Sequence, residues 1–265
     1  MSRIAETFLR LRREGRRAFI PFVTAGDPDL QTTRALIPEL ARAGADIIEL
    51  GVPFSDPVAD GPVIERASGR ALRGGVTVAD ALALASDARR ACDVPVVLFS
   101  YFNPLMQYGV GRLGRAAGDA GIDGVLVTDL VPEESGEFSA VLKAGGVDQI
   151  FLVAPTTTDA RLSHIAAKAS GFIYAVSRAG VTGARTEVSA EAEKLVGRVR
   201  RVSDLPVAVG FGISSREQVT EVWRYADAAV IGSAIVAEME RLAGAPDRVS
   251  RVGAFVRALI PEQQG

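Results

Sequence analysis

Short apolar runs rich in β-branched residues alternate along the chain with longer stretches in which apolar positions recur every three or four residues. Several of the short runs are almost continuously apolar, as expected for strands of a parallel sheet that helices cover. They predict eight strands, near residues 18–23, 47–50, 94–100, 124–128, 149–153, 172–176, 206–209 and 228–231. Eight strands that alternate with helices predict an α/β fold, a single (β/α)8 TIM barrel.

The longer stretches have the spacing of amphipathic helices. They predict helices over residues 29–43, 77–91, 133–144, 159–169 and 215–225. Ile4, Phe8 and Leu11 follow the same spacing and predict an additional N-terminal helix that covers the bottom of the barrel. No Ser/Gly-rich linker or change of composition divides the chain, so we expect residues 1–265 to form one catalytic barrel domain.

Composition and charge exclude several classes of protein. The net charge of -2 gives no electrostatic reason to expect nucleic acid or a membrane surface as a partner. The single cysteine, Cys92, excludes an intramolecular disulfide, and no Cys/His spacing indicates a metal site. No apolar run approaches the ~18 residues of a membrane-spanning helix. The N-terminus lacks the apolar stretch of a secretory signal, and Glu6 and Glu14 argue against a transit peptide. We therefore expect a cytoplasmic protein.

The positions of the lysines and of the histidine narrow the range of possible catalytic mechanisms. In a barrel, catalytic groups stand at the C-terminal ends of the strands and on the loops that follow. The three lysines, Lys143, Lys168 and Lys194, all fall on stretches between predicted strands, which disfavours a Schiff-base aldolase. The single histidine, His164, lies within a predicted helix, which disfavours a histidine-based triad. Carboxylates remain as the candidate catalytic groups.

Glu49 lies near the end of the second predicted strand, on the same face as Ile47. That face is either the barrel interior or the helix layer, and both are dry, so burial should raise the pKa of the carboxyl. A carboxyl tuned in this way can donate and accept a proton near neutral pH. The alternative is a structural buried glutamate paired with a backbone group or an arginine.

Asp60 ends a loop rich in proline and glycine, just before Pro62, which would begin a helix well. It is either a catalytic carboxylate or an ordinary helix N-cap. The same two interpretations apply to Asp56. Asp129, after the fourth predicted strand, is a candidate for orienting a loop.

Glycine-containing segments follow the last three predicted strands, at residues 177–183, 210–214 and 232–234. Glycine lets backbone N–H groups approach an anion, and a helix that begins at Ser233 would add a positive dipole end. Such loops form the common phosphate site of barrels, although each could also be a simple turn. Aromatic residues at strand ends would suit a ligand with an apolar ring, or simply pack in the core: Phe22, Phe99, Tyr101, Tyr174 and Phe211.

Residues 49–62, ELGVPFSDPVADGP, are very similar to the signature of the tryptophan synthase alpha chain family. The resemblance extends over nearly the whole chain and includes residues 21–28, 180–183 and 210–214. It implies a lyase of tryptophan biosynthesis that cleaves indole-3-glycerol phosphate to indole and glyceraldehyde 3-phosphate in a retro-aldol-type reaction. It also implies a pyridoxal-phosphate beta chain as partner in an alpha2-beta2 heterotetramer, with no cofactor on the alpha chain itself.

The resemblance further implies roles for particular residues. Glu49 matches the acid/base that protonates the indole ring carbon and takes the glycerol hydroxyl proton. Asp60 matches the carboxylate that holds the indole N–H, and Thr182 the loop residue that meets Asp60 on closure. Phe22, Phe99, Leu126, Tyr174 and Phe211 correspond to the indole pocket, and Gly183, Gly212, Gly232 and Ser233 to the phosphate site.

Two segments depart from the family pattern: Val131 stands where a proline is common, and residues 99–104 carry small substitutions. Both lie where a beta chain would dock. Two alternatives share parts of the pattern. A stand-alone indole-3-glycerol phosphate lyase would release indole without a beta chain, and a non-catalytic barrel would only bind phosphorylated ligands.

Overall fold

Eight parallel strands hydrogen-bond side by side in chain order, and the first pairs with the last, so that the sheet closes into a barrel. The structure, a computed structural model, describes residues 1–176, 188–210 and 212–262. The strands are β1 (Ala18–Thr24), β2 (Ile48–Gly51), β3 (Val96–Ser100), β4 (Gly124–Val127), β5 (Asp148–Val153), β6 (Ile173–Val176), β7 (Val207–Gly210) and β8 (Ala228–Ile231). The predicted (β/α)8 barrel is confirmed, and strand limits differ from the prediction by at most two residues.

Helices alternate with the strands and surround the barrel. They are α1 (Arg3–Arg13), α2 (Leu30–Ala43), α3 (Pro62–Arg73), α4 (Val78–Ala91), α5 (Phe102–Tyr108), α6 (Val110–Ala120), α7 (Gly136–Ala144), α8 (Asp159–Lys168), α9 (Val188–Val199), α10 (Arg216–Val222), α11 (Ser233–Arg241) and α12 (Arg248–Leu259). None of those in the described ranges is long and apolar enough to cross a membrane.

Two predicted helices are shorter than expected. The helix predicted from residue 133 begins at Gly136, because the preceding residues form turns: the Ser135 N–H and hydroxyl both donate to the Pro132 carbonyl. The helix predicted to reach residue 225 ends at Val222. There the Trp223 indole N–H donates to the carbonyl of Ala18, 3.0 Å away, and the chain continues in turns towards β8.

Apolar side chains form two layers, one between the sheet and the helices and one inside the barrel. The alternation of β2 shows the division: Ile47 packs inside the barrel, whereas Ile48 and Leu50 pack towards the helices. The buried face of α1 joins the inner layer, with the Phe8 ring 5.9 Å from that of Phe172. The predicted N-terminal helix is therefore confirmed as the cover of the barrel bottom.

Candidate active site

Glu49 lies inside the barrel near the C-terminal end of β2, between Phe22 of β1 and Val97 of β3. It is 1% exposed, and its Oε1 has no hydrogen-bond partner among the residues that the structure describes. Burial raises the pKa of the carboxyl to about 8. Glu49 is therefore mostly protonated at neutral pH. The alternative, a structural glutamate paired with a backbone group or an arginine, requires a partner for this oxygen, and the described residues supply none.

Asp60 stands one residue before the N-cap of α3, which is Gly61. The Asp60 N–H donates to the Pro57 carbonyl at 3.1 Å, which closes the loop. Asp60 is thus not the N-cap of this helix. Burial raises its pKa to about 6, and although a hydrogen bond from the Tyr101 hydroxyl opposes the shift, the charge of Glu65 adds to it. Asp60 is therefore mostly ionised at neutral pH.

Tyr101 connects the loop that carries Asp60 to the end of β3. Its hydroxyl accepts from the Ala59 N–H at 2.9 Å, and its ring centroid is 5.2 Å from that of Phe54. Burial and the neighbouring Asp60 charge raise the pKa of Tyr101, so the hydroxyl remains a donor. From the sequence, Tyr101 was only one of several strand-end aromatics. Its position directly after β3, at the mouth of the barrel, is the signal that it shares with the active-site groups.

One cavity brings most of the predicted site residues together. Its lining comprises Phe22, Glu49, Asp60, Gly61, Ile64, Phe99, Tyr174, Gly212, Ile213, Val230, Gly232 and Ser233. Leu126 is fully buried in the inner apolar layer with Phe99 and Tyr174, but is not among the lining residues. Thr182, Gly183 and Phe211 lie outside the described residues.

Four lining residues were not predicted. Gly61 and Ile64 belong to the start of α3, Ile213 follows Gly212, and Val230 lies in β8. Ile64, Ile213 and Val230 add apolar surface to the cavity, and the sequence offers little to distinguish them from ordinary core residues.

Aromatic side chains form the apolar side of this cavity. The rings of Phe22 and Phe99 meet edge to face, with centroids 5.3 Å apart. Tyr174 is 3% exposed, and burial together with the charges of Glu49 and Asp60 raises its pKa well above the ordinary value. The aromatic side chains therefore form an apolar and uncharged wall, and Glu49 and Asp60 are the acidic groups of the described lining. It suits a flat aromatic ligand that offers one polar N–H.

Another part of the cavity lining, which begins beside Phe22 at Gly232, suits an anion. Helix α11 begins at Ser233 after Gly232, and no side-chain hydrogen bond caps this N-terminus within the described part of the chain. The first N–H groups of a helix have no partner within it and carry the positive end of the dipole. Gly212 adopts φ +84°, which favours glycine, and no described atom lies within 4 Å of the place a Cβ would take. These backbone groups can contact a phosphate closely.

Other reactive groups lie away from the cavity. Lys143, Lys168 and Lys194 are on α7, α8 and α9, and His164 is exposed on α8, as predicted. Within residues 1–176, 188–210 and 212–262, no group of three or more His, Cys, Asp and Glu side chains is arranged to hold a metal ion. The chemistry offered by the described cavity is that of two carboxyls.

A closed (β/α)8 barrel with buried Glu49 near the C-terminal end of β2 and partly buried Asp60 on the loop that follows has the architecture of a barrel enzyme. Residues 8–260 match the tryptophan synthase alpha chain family. The tryptophan synthase alpha chain of Geobacter sulfurreducens is 49% identical over 259 residues, which are 98% of each chain. A tryptophan synthase structure from Mycobacterium tuberculosis superimposes with a TM-score of 0.89 at 40% identity, covering 99% of each chain. The Legionella pneumophila str. Paris subunit alpha gives a TM-score of 0.90 at 35% identity, covering 98% of this chain and 97% of that one.

The chain therefore belongs to the tryptophan synthase alpha chain family. It is a lyase of tryptophan biosynthesis that cleaves indole-3-glycerol phosphate to indole and glyceraldehyde 3-phosphate.

Proposed function

We propose that Glu49 and Asp60 are the catalytic pair of this lyase. One observation carries the proposal: both carboxyls line the same cavity, with pKa values of about 8 and about 6. At neutral pH one is therefore a proton donor and the other an anion. Two carboxyls whose environments separate their pKa values divide the roles of acid and charge-stabiliser between them.

The reaction then follows from these protonation states. Protonated Glu49 transfers its proton to C3 of the indole ring, while ionised Asp60 accepts the ring N–H and stabilises the resulting cation. The Glu49 carboxylate takes the proton of the adjacent glycerol hydroxyl. The carbon–carbon bond breaks, its electron pair returns to the ring, and indole and glyceraldehyde 3-phosphate leave with Glu49 protonated again.

The rest of the cavity would hold the two ends of the substrate. We assign the indole to Phe22, Phe99, Leu126, Tyr174 and Phe211. The phosphate is assigned to Gly183, Gly212, Gly232 and Ser233, and Thr182 is proposed to meet Asp60 when the loop closes. The edge-to-face aromatic pair supports the indole assignment. The N-terminus of α11, which no side chain of the described residues caps, supports the phosphate assignment.

We further propose that the chain needs no cofactor of its own. The electrons of the broken bond return to the indole ring, so the ring itself serves as the electron sink. The steps are proton transfers, which the two carboxyls supply. Pyridoxal phosphate is then expected only on a partner beta chain.

A beta chain is the proposed partner, in an alpha2-beta2 assembly. Three apolar side chains are exposed beyond the C-terminal ends of neighbouring strands: Val58 (85%), Met106 (50%) and Val131 (38%). Exposed apolar residues that share one face favour a protein interface. The surface would include Asp56, Pro57 and Asn103, together with the loop that contains the buried Pro132.

Hydrogen bonds within the chain also fix the positions of the loops of this surface. Asp129 accepts from the Phe102 N–H at 2.7 Å, which joins the loops after β3 and β4 and supports its expected orienting role. Arg161 of α8 donates to both carboxylate oxygens of Glu133, at 2.9 and 3.1 Å. A partner that binds these loops would favour the closed state in which Thr182 meets Asp60, which would activate the enzyme without adding a catalytic group.

We also propose that the whole chain acts as one catalytic domain and works in the cytoplasm. The absence of strong net charge fits the handling of a small substrate rather than a nucleic acid or a membrane. Both points are expectations of the family assignment.

An indole-release assay with the purified chain, alone and with a beta chain, tests this proposal. We expect weak release alone and a marked increase with the beta chain. Full activity alone, unchanged by a beta chain, would favour a stand-alone lyase. No release under either condition would favour the non-catalytic barrel. That alternative is disfavoured by the buried Glu49 Oε1, which has no hydrogen-bond partner in the described part of the chain.

A further inference from the structure

A network of four charged side chains joins three elements outside the cavity: Asp27 after β1, Arg66 and Arg70 on α3, and Glu240 on α11. Arg70 donates from Nε to Asp27 Oδ1 at 2.7 Å and from Nη2 to Oδ2 at 3.0 Å. Its Nη1 donates to Glu240 Oε1 at 2.7 Å. One guanidinium thus holds two carboxylates that belong to different elements.

The pair with Asp27 is much more protected than an ordinary surface ion pair. The Asp27 side chain is 4% exposed and that of Arg70 is 23% exposed, whereas that of Arg66 is 53% exposed. The Arg70–Asp27 contact has the two-pronged geometry that makes arginine–carboxylate pairs strong and directional. Removing one member of such a pair leaves a buried charge without its partner.

The three joined elements are those that carry the two ends of the proposed substrate site. Helix α3 directly follows Asp60 and contributes Ile64 to the cavity. Helix α11 begins with Ser233 at the proposed phosphate end, and β1, which precedes Asp27, contributes Phe22 to the proposed indole end. Ile64 and Val236, on α3 and α11, belong to the same inner apolar layer. The charged network therefore joins α3 to α11 outside the apolar layer to which both helices contribute.

Arg70 does not line the cavity in the described part of the chain, and its three donors named above already bind carboxylates. It is therefore placed to act on the substrate through α3 and α11 rather than by contact. Arg66 binds the same Glu240 with two hydrogen bonds, at 3.0 and 2.8 Å, but does not reach Asp27. Arg66 is thus a natural control for Arg70.

We propose that Arg70 is a positioning residue that fixes the separation between the indole-binding and phosphate-binding ends of the site. This inference rests on the proposed function. A ligand that reaches both ends gains affinity because its second contact is intramolecular once the first is made. That gain requires the two subsites to be held at the right separation, and a misplacement of ~1 Å can cost on the order of 10²-fold in rate. Ligands that occupy one end are insensitive to the separation.

The test compares three ligands by calorimetric titration of the intact chain: indole-3-propanol phosphate, which spans both ends, and indole and glycerol 3-phosphate, which each occupy one. The variants are Arg70→Gln and Asp27→Asn, with Arg66→Gln as the matched control. We expect the first two to weaken binding of the spanning ligand about tenfold or more and to leave each single-ended ligand within about twofold. Arg66→Gln should leave all three affinities within about twofold. If Arg70→Gln fails to fold, Asp27→Asn and Glu240→Gln carry the same comparison.

Two results for Arg70→Gln and Asp27→Asn would overturn the proposal. A lower thermal midpoint with all three affinities unchanged would show that the network is purely structural. Equal weakening of all three ligands would show that Arg70 does not control the separation between the two ends. Failure of the proposed function has a different signature. In that case Asp60→Asn and Ser233→Asp would leave the binding of indole and glycerol 3-phosphate to the Arg70-intact chain unchanged.

Discussion

The burial of Glu49 predicts that the protein loses stability at alkaline pH because this carboxyl must ionise inside the barrel. The pKa of Glu49 is about 8 in the folded chain, against a reference value of 4.5 for an exposed glutamate. The folded state therefore holds this proton more tightly than the unfolded state. A raised pKa contributes stability that is fully present below 4.5 and is lost as the pH rises through about 8.

The size of the effect follows from the shift. Each unit of pKa difference is worth ~1.4 kcal/mol, so stability should fall by ~1.4 kcal/mol per pH unit across the window. The total loss is on the order of 5 kcal/mol between pH 4.5 and 8. Glu49→Gln keeps the shape of the side chain and cannot titrate. Any cost of burying the amide is a constant offset, so the slope rather than the absolute difference carries the information.

Urea unfolding of the wild type and Glu49→Gln, from pH 4.5 to 9, measures this slope. We expect the stability of the variant relative to wild type to grow as the pH rises from 4.5, and to level off above about 8. Asp60 titrates in both proteins and largely cancels in the difference. A difference that does not vary with pH would refute the statement that Glu49 is buried with a raised pKa.

Three further substitutions test the rest of the site. Asp60→Asn should lower kcat in steady-state assays by more than about tenfold, ~1.4 kcal/mol, since a neutral amide cannot balance the cationic ring; a smaller loss would reduce Asp60 to a loop residue. Ser233→Asp should raise KM for indole-3-glycerol phosphate sharply by placing an anion at the start of α11, whereas Ser233→Ala keeps the backbone donors; equal KM values for the two variants would move the phosphate site elsewhere. Gly210→Ala should lower turnover, because the added Cβ would lie 1.9 Å from the Tyr174 hydroxyl. Gly197→Ala is the control, since a Cβ there meets no described atom within 4 Å. Identical turnover of these two variants would contradict the prediction.

The sequence was sufficient for the barrel because the strands of a closed parallel sheet are continuously apolar and the helices between them are amphipathic. It was less informative where a single local choice decides the outcome. Alternation along β2 placed Glu49 on the face of Ile47 but could not choose between the inside and the outside of the barrel. Only closure of the sheet, with Phe22 and Val97 as neighbours in register, settles that it faces inwards.

The same limit applies to the loops. In the sequence, Asp60 could be either a catalytic carboxylate or the N-cap of the next helix. The structure decides against the N-cap by one residue, because Gly61 takes that position. The hydrogen bond between the Ala59 N–H and the Tyr101 hydroxyl joins residues far apart in the chain, so no local sequence pattern predicts it. The late start of α7 depends on Ser135 bonding back to Pro132, a turn that competes with an otherwise helical pattern.

The turnover of Glu49→Gln tests the central claim most directly. Indole release from indole-3-glycerol phosphate would be followed at pH 7 with saturating substrate, with circular dichroism to verify the fold of the variant. Glu49 is the buried acid inside the barrel, and its replacement by an amide removes the proton donor while preserving the shape of the cavity. We predict a kcat lower by ~10²–10⁴-fold with a folded barrel. A folded variant with near wild-type kcat would contradict the account.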